Sequence, residues 1–193
     1  MLACWRTTCP DAAALRCHIR VSSIGAVRVK RLWAPWRMSY LRGEHEPVKG
    51  CVFCGKLAAS DAEEHVLYRG QHCFVVLNRY PYSNGHMMVV PYAHVSTLAE
   101  LGDEVSLEML KLVCAAEGVL RAWARPQGFN VGMNEGHAAG AGIEEHIHMH
   151  VVPRWESDAN YLTVIGETRV IPQMLDETYA VLRPLFDALS DGP

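Results

Sequence analysis

Between residues 65 and 91 the chain alternates short apolar runs with turn chemistry. His65 to Arg69, Cys73 to Asn78 and His86 to Val90 are rich in Val, Leu, Phe and Met, and are separated by Gly70-Gln71 and by Pro81-Tyr82-Ser83-Asn84-Gly85. Apolar runs of this length bounded by Gly, Pro, Asn and Ser predict three antiparallel strands. From Asp103 to Trp123 there is no proline, and Val105, Met109, Leu112, Val113, Ala116 and Leu120 recur at helical spacing, which predicts one long amphipathic helix. Phe129 to Met133 and His146 to Val152 read as two further strands, joined by the small-residue loop 134–142. Met174 to Leu189 predicts a second helix, interrupted or bent near Pro184, because proline removes a donor and crowds the preceding turn. The expected fold is α+β: an antiparallel sheet of about five strands, a long helix on one side and a C-terminal helix. No internal repeat or low-complexity tract is visible.

Residues 1–31 differ from the rest. Arg6, Arg16, Arg20, Arg28, Lys30 and Arg31 face a single acid, Asp11, without periodicity, so a disordered extension is expected there, either a targeting segment or an upstream extension. Residues 32–190 are expected to form one domain. It begins with Trp33-Ala34-Pro35-Trp36-Arg37 and a Gly/Pro-rich turn, followed by a knuckle at Cys51-Val52-Phe53-Cys54-Gly55. At 193 residues, 50% of them hydrophobic, the chain supports one substantial core. A formal charge of -3 argues against wrapping duplex nucleic acid and leaves a single nucleotide open. Nothing approaches the roughly 18 apolar residues of a membrane span, so no membrane partner and a cytoplasmic location are expected. Seven cysteines, an odd number in a chain of this size, fit reduced thiols with one metal-binding pair better than a disulfide framework.

The densest chemistry is His146-Ile147-His148-Met149-His150-Val151-Val152-Pro153. On a strand, His146, His148 and His150 would share one face, with Ile147, Met149 and Val151 against the core and neighbouring rungs about 6 to 7 Å apart. Neutral imidazole has a free lone pair near physiological pH and suits attack on phosphorus, provided its other nitrogen is held by a carbonyl or carboxylate. Charge growing on a phosphoryl group needs preorganised donors, which the backbone around Gly136, Gly140 and Gly142 offers. The same spacing also describes a metal-binding face, and spacing alone leaves the two readings open.

His-φ-His-φ-His-φ-φ, continuing through Pro153 and Arg154, resembles the histidine-triad (HIT) superfamily, as do Leu77-Asn78-Arg79-Tyr80-Pro81, Gly85 to Pro91 with His94, and Asn134-Glu135-Gly136. Trp33 to Arg37, together with Pro153-Arg154-Trp155 and Asp158-Ala159-Asn160, is similar to the bacterial branch that includes diadenosine tetraphosphate phosphorylases. The resemblance implies a HIT-like fold, a homodimer, and His148 as the nucleophile that forms a nucleotidyl-histidine intermediate. It gives His150 a donor role toward the phosphate, makes His86 the supporting histidine, and places substrate contacts at Asn78, Asn134, Gly142, His150 and Arg154. Some members hold a structural zinc, and the corresponding positions here are Cys51, Cys54, His94 and His146, a donor set suited to a closed tetrahedral Zn²⁺ site. No organic cofactor is implied.

One departure is Gly142-Ile143, where many members carry Gln followed by Ser or Thr, so a phosphate-contacting hydroxyl is missing and backbone donors are expected to take over, with inorganic phosphate as a second substrate. His137 lies within reach of a phosphate, but a lone exposed loop histidine is more often neutral to function; Trp155 is a base-stacking or packing residue. The activity expected is cleavage of dinucleoside polyphosphates at the α-phosphorus, by phosphorolysis or hydrolysis. Phosphoramidate cleavage or general nucleotide hydrolysis at the same site, and non-catalytic nucleotide binding, are the alternatives.

Overall fold

The computed structural model describes residues 50–158 and 173–190, all within the unit Leu32–Pro193. The basic segment 1–31, the Trp33 to Arg37 motif and residues Ala159 and Asn160 lie outside the described residues. Two short helices, α1 (Val52–Lys56) and α2 (Asp61–Glu64), precede β1 (Val66–Arg69), β2 (Cys73–Leu77) and β3 (Met87–Pro91). Then come α3 (Asp103–Ala124), β4 (Gly128–Gly132), β5 (Met149–Arg154) and α4 (Leu175–Ser190). The strands form one five-stranded sheet in the order β1-β2-β3-β5-β4, with every neighbouring pair antiparallel. The expected α+β architecture is therefore observed.

Alternation along the strands divides the core in two. Cys73, Val75, Leu77, Met87, Val89 and Val151 face Met109, Leu112, Val113, Ala116, Val119 and Leu120 of α3 and Leu182 and Phe186 of α4. Phe74, Val76, Met88 and Val90 face the other way and pack on Phe53 of α1. Both middle strands are thus buried on both faces, which is why β2 and β3 read as unbroken apolar runs. Helix α3 begins on Asp103 and Glu104, whose charges suit its N-terminus, and ends on Arg125 in the left-handed conformation directly before Pro126.

Three expectations are corrected. His65 does not start β1; it ends α2 in the left-handed region with φ 56°. The helix at Pro184 is not interrupted: α4 is continuous from Leu175 to Ser190, and Leu182 and Phe186, both fully buried, hold it to the core on either side of the proline. The triad strand begins at Met149, so only His150 of the three histidines lies within β5. His146 and His148 precede it because Ile147 N-H donates to the Val95 carbonyl at 2.7 Å and His146 Nε2-H to the Pro91 carbonyl at 2.9 Å. These bonds draw the segment toward the chain leaving β3. Among the described residues no helix is long and apolar enough to cross a membrane.

Candidate active site

The face of the sheet opposite α3 carries the histidines. Ile147 is buried and Met149 and Val151 pack into the α3 core, as alternation requires, while His146 and His148 are 0% and 5% exposed beneath Phe53. The Phe53 ring lies 5.3 Å from that of His146 and 4.8 Å from that of His148, centroid to centroid. The three imidazoles therefore share a face, but a covered one. The rings of His148 and His150 are 4.9 Å apart and nearly perpendicular, closer than the strand spacing suggested because the rings tilt toward each other.

Each ring has its tautomer assigned by its neighbours. His148 Nδ1 lies 2.9 Å from the His146 carbonyl; a carbonyl only accepts, so Nδ1 carries the hydrogen and Nε2 keeps its lone pair. Tyr82 N-H donates to His86 Nδ1 at 3.1 Å, so His86 carries its hydrogen on Nε2, which is 3.0 Å from His150 Nδ1. His150 then accepts at Nδ1 and carries its own hydrogen on Nε2. An unprotonated Nε2 on His148 and an N-H donor on His150 thus belong to adjacent rings. Burial pushes the His148 imidazole below its usual range, against the hydrogen bond to the His146 carbonyl. Burial, and then the neighbouring His148, brings His150 down to about 4. Both rings are neutral near pH 7, the form required for attack.

Asn78 directly follows β2, with its amide nitrogen 3.4 Å from the His86 ring nitrogens and its Oδ1 accepting from Tyr80 N-H at 2.9 Å. Gly132 is registered opposite His150, so half-buried Asn134, two residues on, stands at the triad's edge. The loop is folded on itself: Gly140 N-H donates to the His137 carbonyl and Ala141 N-H to the Gly136 carbonyl. Gly142 is exposed, four residues ahead of His146. His137 Nδ1 is 2.9 Å from Glu144 Oε1, and Trp155 Nε1-H donates to the Ala124 carbonyl at 3.1 Å. Arg154 is on the triad's face at the far end of β5, where its Nε donates to Asp158 at 2.6 Å and Nη1 to Asn130 at 2.8 Å.

A second cluster adjoins the triad. The ligand atoms of Cys51, Cys54, His94 and His146 all lie within 4.8 Å of one another. Cys51 Sγ to His146 Nδ1 is 3.2 Å, His94 Nδ1 to His146 Nδ1 3.3 Å, Cys54 Sγ to His94 Nδ1 3.5 Å and Cys54 Sγ to His146 Nδ1 3.7 Å. Tetrahedral zinc with its usual bond lengths would separate such ligands by about 3.3 to 3.8 Å, so the set fits a tetrahedral metal ion. The Nε2-H bond from His146 to the Pro91 carbonyl leaves Nδ1 as the ligating nitrogen and fixes the ring as an outer-shell partner should. The four described cysteines are free thiols.

The sequence did not single out Phe53, the Tyr82 N-H or the Pro91 carbonyl. Phe53 has a faint signal, an aromatic between paired cysteines; the two backbone groups have none.

The HIT domain family matches residues 59–157. AP-4-A phosphorylase of Mycobacterium tuberculosis is 44% identical over 164 residues, covering 80% of this chain and 83% of that protein. Among solved structures, a Zn-bound histidine triad family protein from Mycobacterium smegmatis superposes with a TM-score of 0.60 at 26% identity, covering 74% of this chain and 96% of that one. A histidine triad nucleotide-binding protein from Sulfolobus tokodaii, at 22% identity and a TM-score of 0.59, shares the fold over 72% of this chain and 94% of its own. The family match takes in Asn78, His86, His94 and all three clustered histidines, and with the mycobacterial relative it establishes that this chain belongs to the HIT domain family.

Proposed function

We propose that the protein is a nucleotidyl transferase that cleaves dinucleoside polyphosphates of the diadenosine tetraphosphate kind at the α-phosphorus, with inorganic phosphate as the acceptor. The carrying observation is the His148 ring, whose Nδ1-H is spent on the His146 carbonyl at 2.9 Å, leaving Nε2 as the nucleophile beside the His150 donor. His148 Nε2 attacks the α-phosphorus; the bond to the bridging oxygen breaks and the leaving nucleoside polyphosphate takes the electron pair. His150 Nε2-H stabilises the charge on the phosphoryl oxygens, and His86 holds His150 in that tautomer. A phosphate oxygen then attacks the nucleotidyl-histidine, the P-N bond breaks and His148 is regenerated. Two inversions give net retention at phosphorus. Asn78, Asn134 and Gly142 border the bound nucleotide in this reading, and Arg154 serves the distal phosphates.

Phosphate rather than water is favoured by the name of the mycobacterial relative, a phosphorylase 44% identical to this chain. We assign the cluster of Cys51, Cys54, His94 and His146 to a structural zinc; a closed shell of two thiolates and two imidazoles cross-links α1 to the triad segment and leaves no position for substrate. Thiolates of this kind need a reducing compartment, which supports a cytoplasmic location. A single domain over residues 32–190, with 1–31 outside it, and a homodimeric assembly complete the reading.

Products from diadenosine tetraphosphate with and without phosphate test it. ADP plus ATP formed only with phosphate supports phosphorolysis; phosphate-independent products refute that acceptor. His148→Ala should lose turnover by at least about 10³-fold while keeping the fold. Full activity in that variant removes the mechanism.

A further inference from the structure

The β3–β5 ladder stops at the Met87–Val151 pair, while β5 runs on to Arg154 in register with β4. Beyond Val151 the turn between β2 and β3 meets β5 through side chains: the Tyr82 ring lies 6.2 Å from that of His150, centroid to centroid, and a hydroxyl bonds the strand's end. Ser83 Oγ-H donates to the Pro153 carbonyl at 3.0 Å. The residue is 6% exposed, so its hydroxyl is a buried tie between the turn and the end of the strand that carries His150.

That turn makes two hydrogen bonds to His86. The Ser83 carbonyl accepts from His86 N-H at 3.1 Å, fixing the main chain. The Tyr82 N-H donates to His86 Nδ1 at 3.1 Å, fixing the ring, and the Tyr82 ring lies 4.7 Å from it, centroid to centroid. The order of protons across the site follows from the donors at His86 Nδ1, the Tyr82 N-H at 3.1 Å and, at 3.4 Å, the Asn78 amide nitrogen: they make His86 Nδ1 an acceptor, His86 Nε2 a donor to His150 Nδ1, and His150 Nε2 the donor that faces a bound phosphate. Were the Tyr82 N-H to swing away, His86 could carry its hydrogen on Nδ1. It would then present a lone pair to His150, which would keep a bond only by moving its own hydrogen to Nδ1. Its outward nitrogen would become an acceptor, opposed to a phosphoryl oxygen.

We propose that Ser83 is a positioning residue for the reaction: by tying the Pro81–Gly85 turn to the end of β5, it holds the Tyr82 N-H on His86 and thereby dictates which nitrogen of His150 carries the proton. Ser83 acts through the turn, by its hydroxyl bond to the Pro153 carbonyl and its carbonyl bond from His86 N-H. Its effect on turnover rests on the function proposed above, but its effect on the tautomers does not.

The test uses the full-length protein with ¹⁵N-labelled histidine, as purified with its metal. Long-range ¹H–¹⁵N correlation spectra near neutral pH report which ring nitrogen of His86 and His150 is protonated, in the wild type, Ser83→Ala and Ser83→Thr. The wild type and Ser83→Thr should show Nε2-H at both rings, and Ser83→Ala mixed tautomers. With diadenosine tetraphosphate, Ser83→Ala should lose about 10- to 100-fold in kcat with KM within about twofold, and Ser83→Thr should recover most of the loss. A wild-type His150 protonated on Nδ1 overturns the proposal without any variant. So does Ser83→Ala with pure Nε2-H tautomers, whatever its activity. If Ser83→Ala does not fold, Ser83→Cys, with a weaker donor in a similar volume, is read by the same criteria. A wild type that leaves diadenosine tetraphosphate uncut refutes the substrate assignment and leaves the tautomer result standing.

Discussion

Gly85, immediately before His86, offers a quantitative check on the turn that positions the His86 ring. It sits at φ +75°, and a Cβ there would lie 2.8 Å from Leu120 Cδ2 and 2.8 Å from Trp123 Cζ3. Leu120 is fully buried in the α3 core, so its side chain would have to shift against packed neighbours. Gly140 is the internal control: at φ +87° it is in the left-handed region, but nothing lies within 4 Å of a Cβ placed on it. Alanine at either position costs about 1 to 2 kcal/mol for the left-handed backbone, and recovers about 0.4 to 1 kcal/mol through the stiffer unfolded chain. Gly140→Ala should therefore destabilise by about 1 kcal/mol. Gly85→Ala adds overpacking of about 1 to 3 kcal/mol, for a total of about 2 to 4. With a urea m-value of about 2 kcal/mol/M, the midpoint should fall by about 1 to 2 M for Gly85→Ala and by about 0.5 M for Gly140→Ala. Equal midpoint shifts at unchanged m would refute the steric argument and with it the described packing of the turn on α3.

Metal removal should lower stability. Stripping a site occupied at about 1,000 times its Kd costs about 4 kcal/mol, so a strong chelator should drop the melting temperature by about 8 to 16 °C at about 2 to 4 °C per kcal/mol. Metal analysis should find one zinc per chain; less than a tenth of that, with an unmoved melting curve, would dismiss the site. For pH, the sign follows from His150, held at about 4 against an ordinary 6.5 by burial and then by His148. Above 6.5 neither the folded nor the unfolded ring is charged and nothing is gained or lost; below it the unfolded ring takes a proton that the folded ring refuses. Stability should fall between pH 6.5 and 4 by up to about 3 kcal/mol from this ring, with His148 acting in the same direction, and His150→Gln should flatten that slope in urea titrations. Glu108 accepts from His72 N-H and Cys73 N-H at 3.0 to 3.1 Å. Glu108→Ala strands those two donors and should cost about 2 to 4 kcal/mol, whereas Glu108→Gln should keep most of the stability.

The strands and the long helix were legible because one physical cause, burial of alternate or every third to fourth residue, writes directly into the sequence. β2 and β3 were visible as apolar runs, and Val105 to Leu120 as a helical stripe. The four ligands of the cluster were legible only through resemblance, since Cys51 and His146 are 95 positions apart and no local pattern joins them. Less legible still was what tertiary hydrogen bonds decide. That His146 and His148 leave the strand depends on two carbonyls, of Val95 and Pro91, and a carbonyl has no residue code. The continuity of α4 through Pro184 was hidden for a related reason: local preference favoured a break, and Leu182 and Phe186 override it by packing.

The position of His146 explains why the site is harder to read than its motif. Its Nδ1 belongs to the cysteine cluster, its Nε2-H to the Pro91 carbonyl, and its own carbonyl accepts the Nδ1-H of His148. The first histidine of the motif is therefore joined to the second through the main chain, not through a shared phosphate. Replacing it would disturb the cysteine–histidine cluster, the turn after β3 and the His148 tautomer together, so lost activity in a His146 variant says nothing about chemistry at that ring. His148 bonds only to the main chain on one side and presents its free nitrogen on the other. A substitution there separates reaction from folding, and for that reason His148, and not the motif as a unit, is where the covalent mechanism stands or falls.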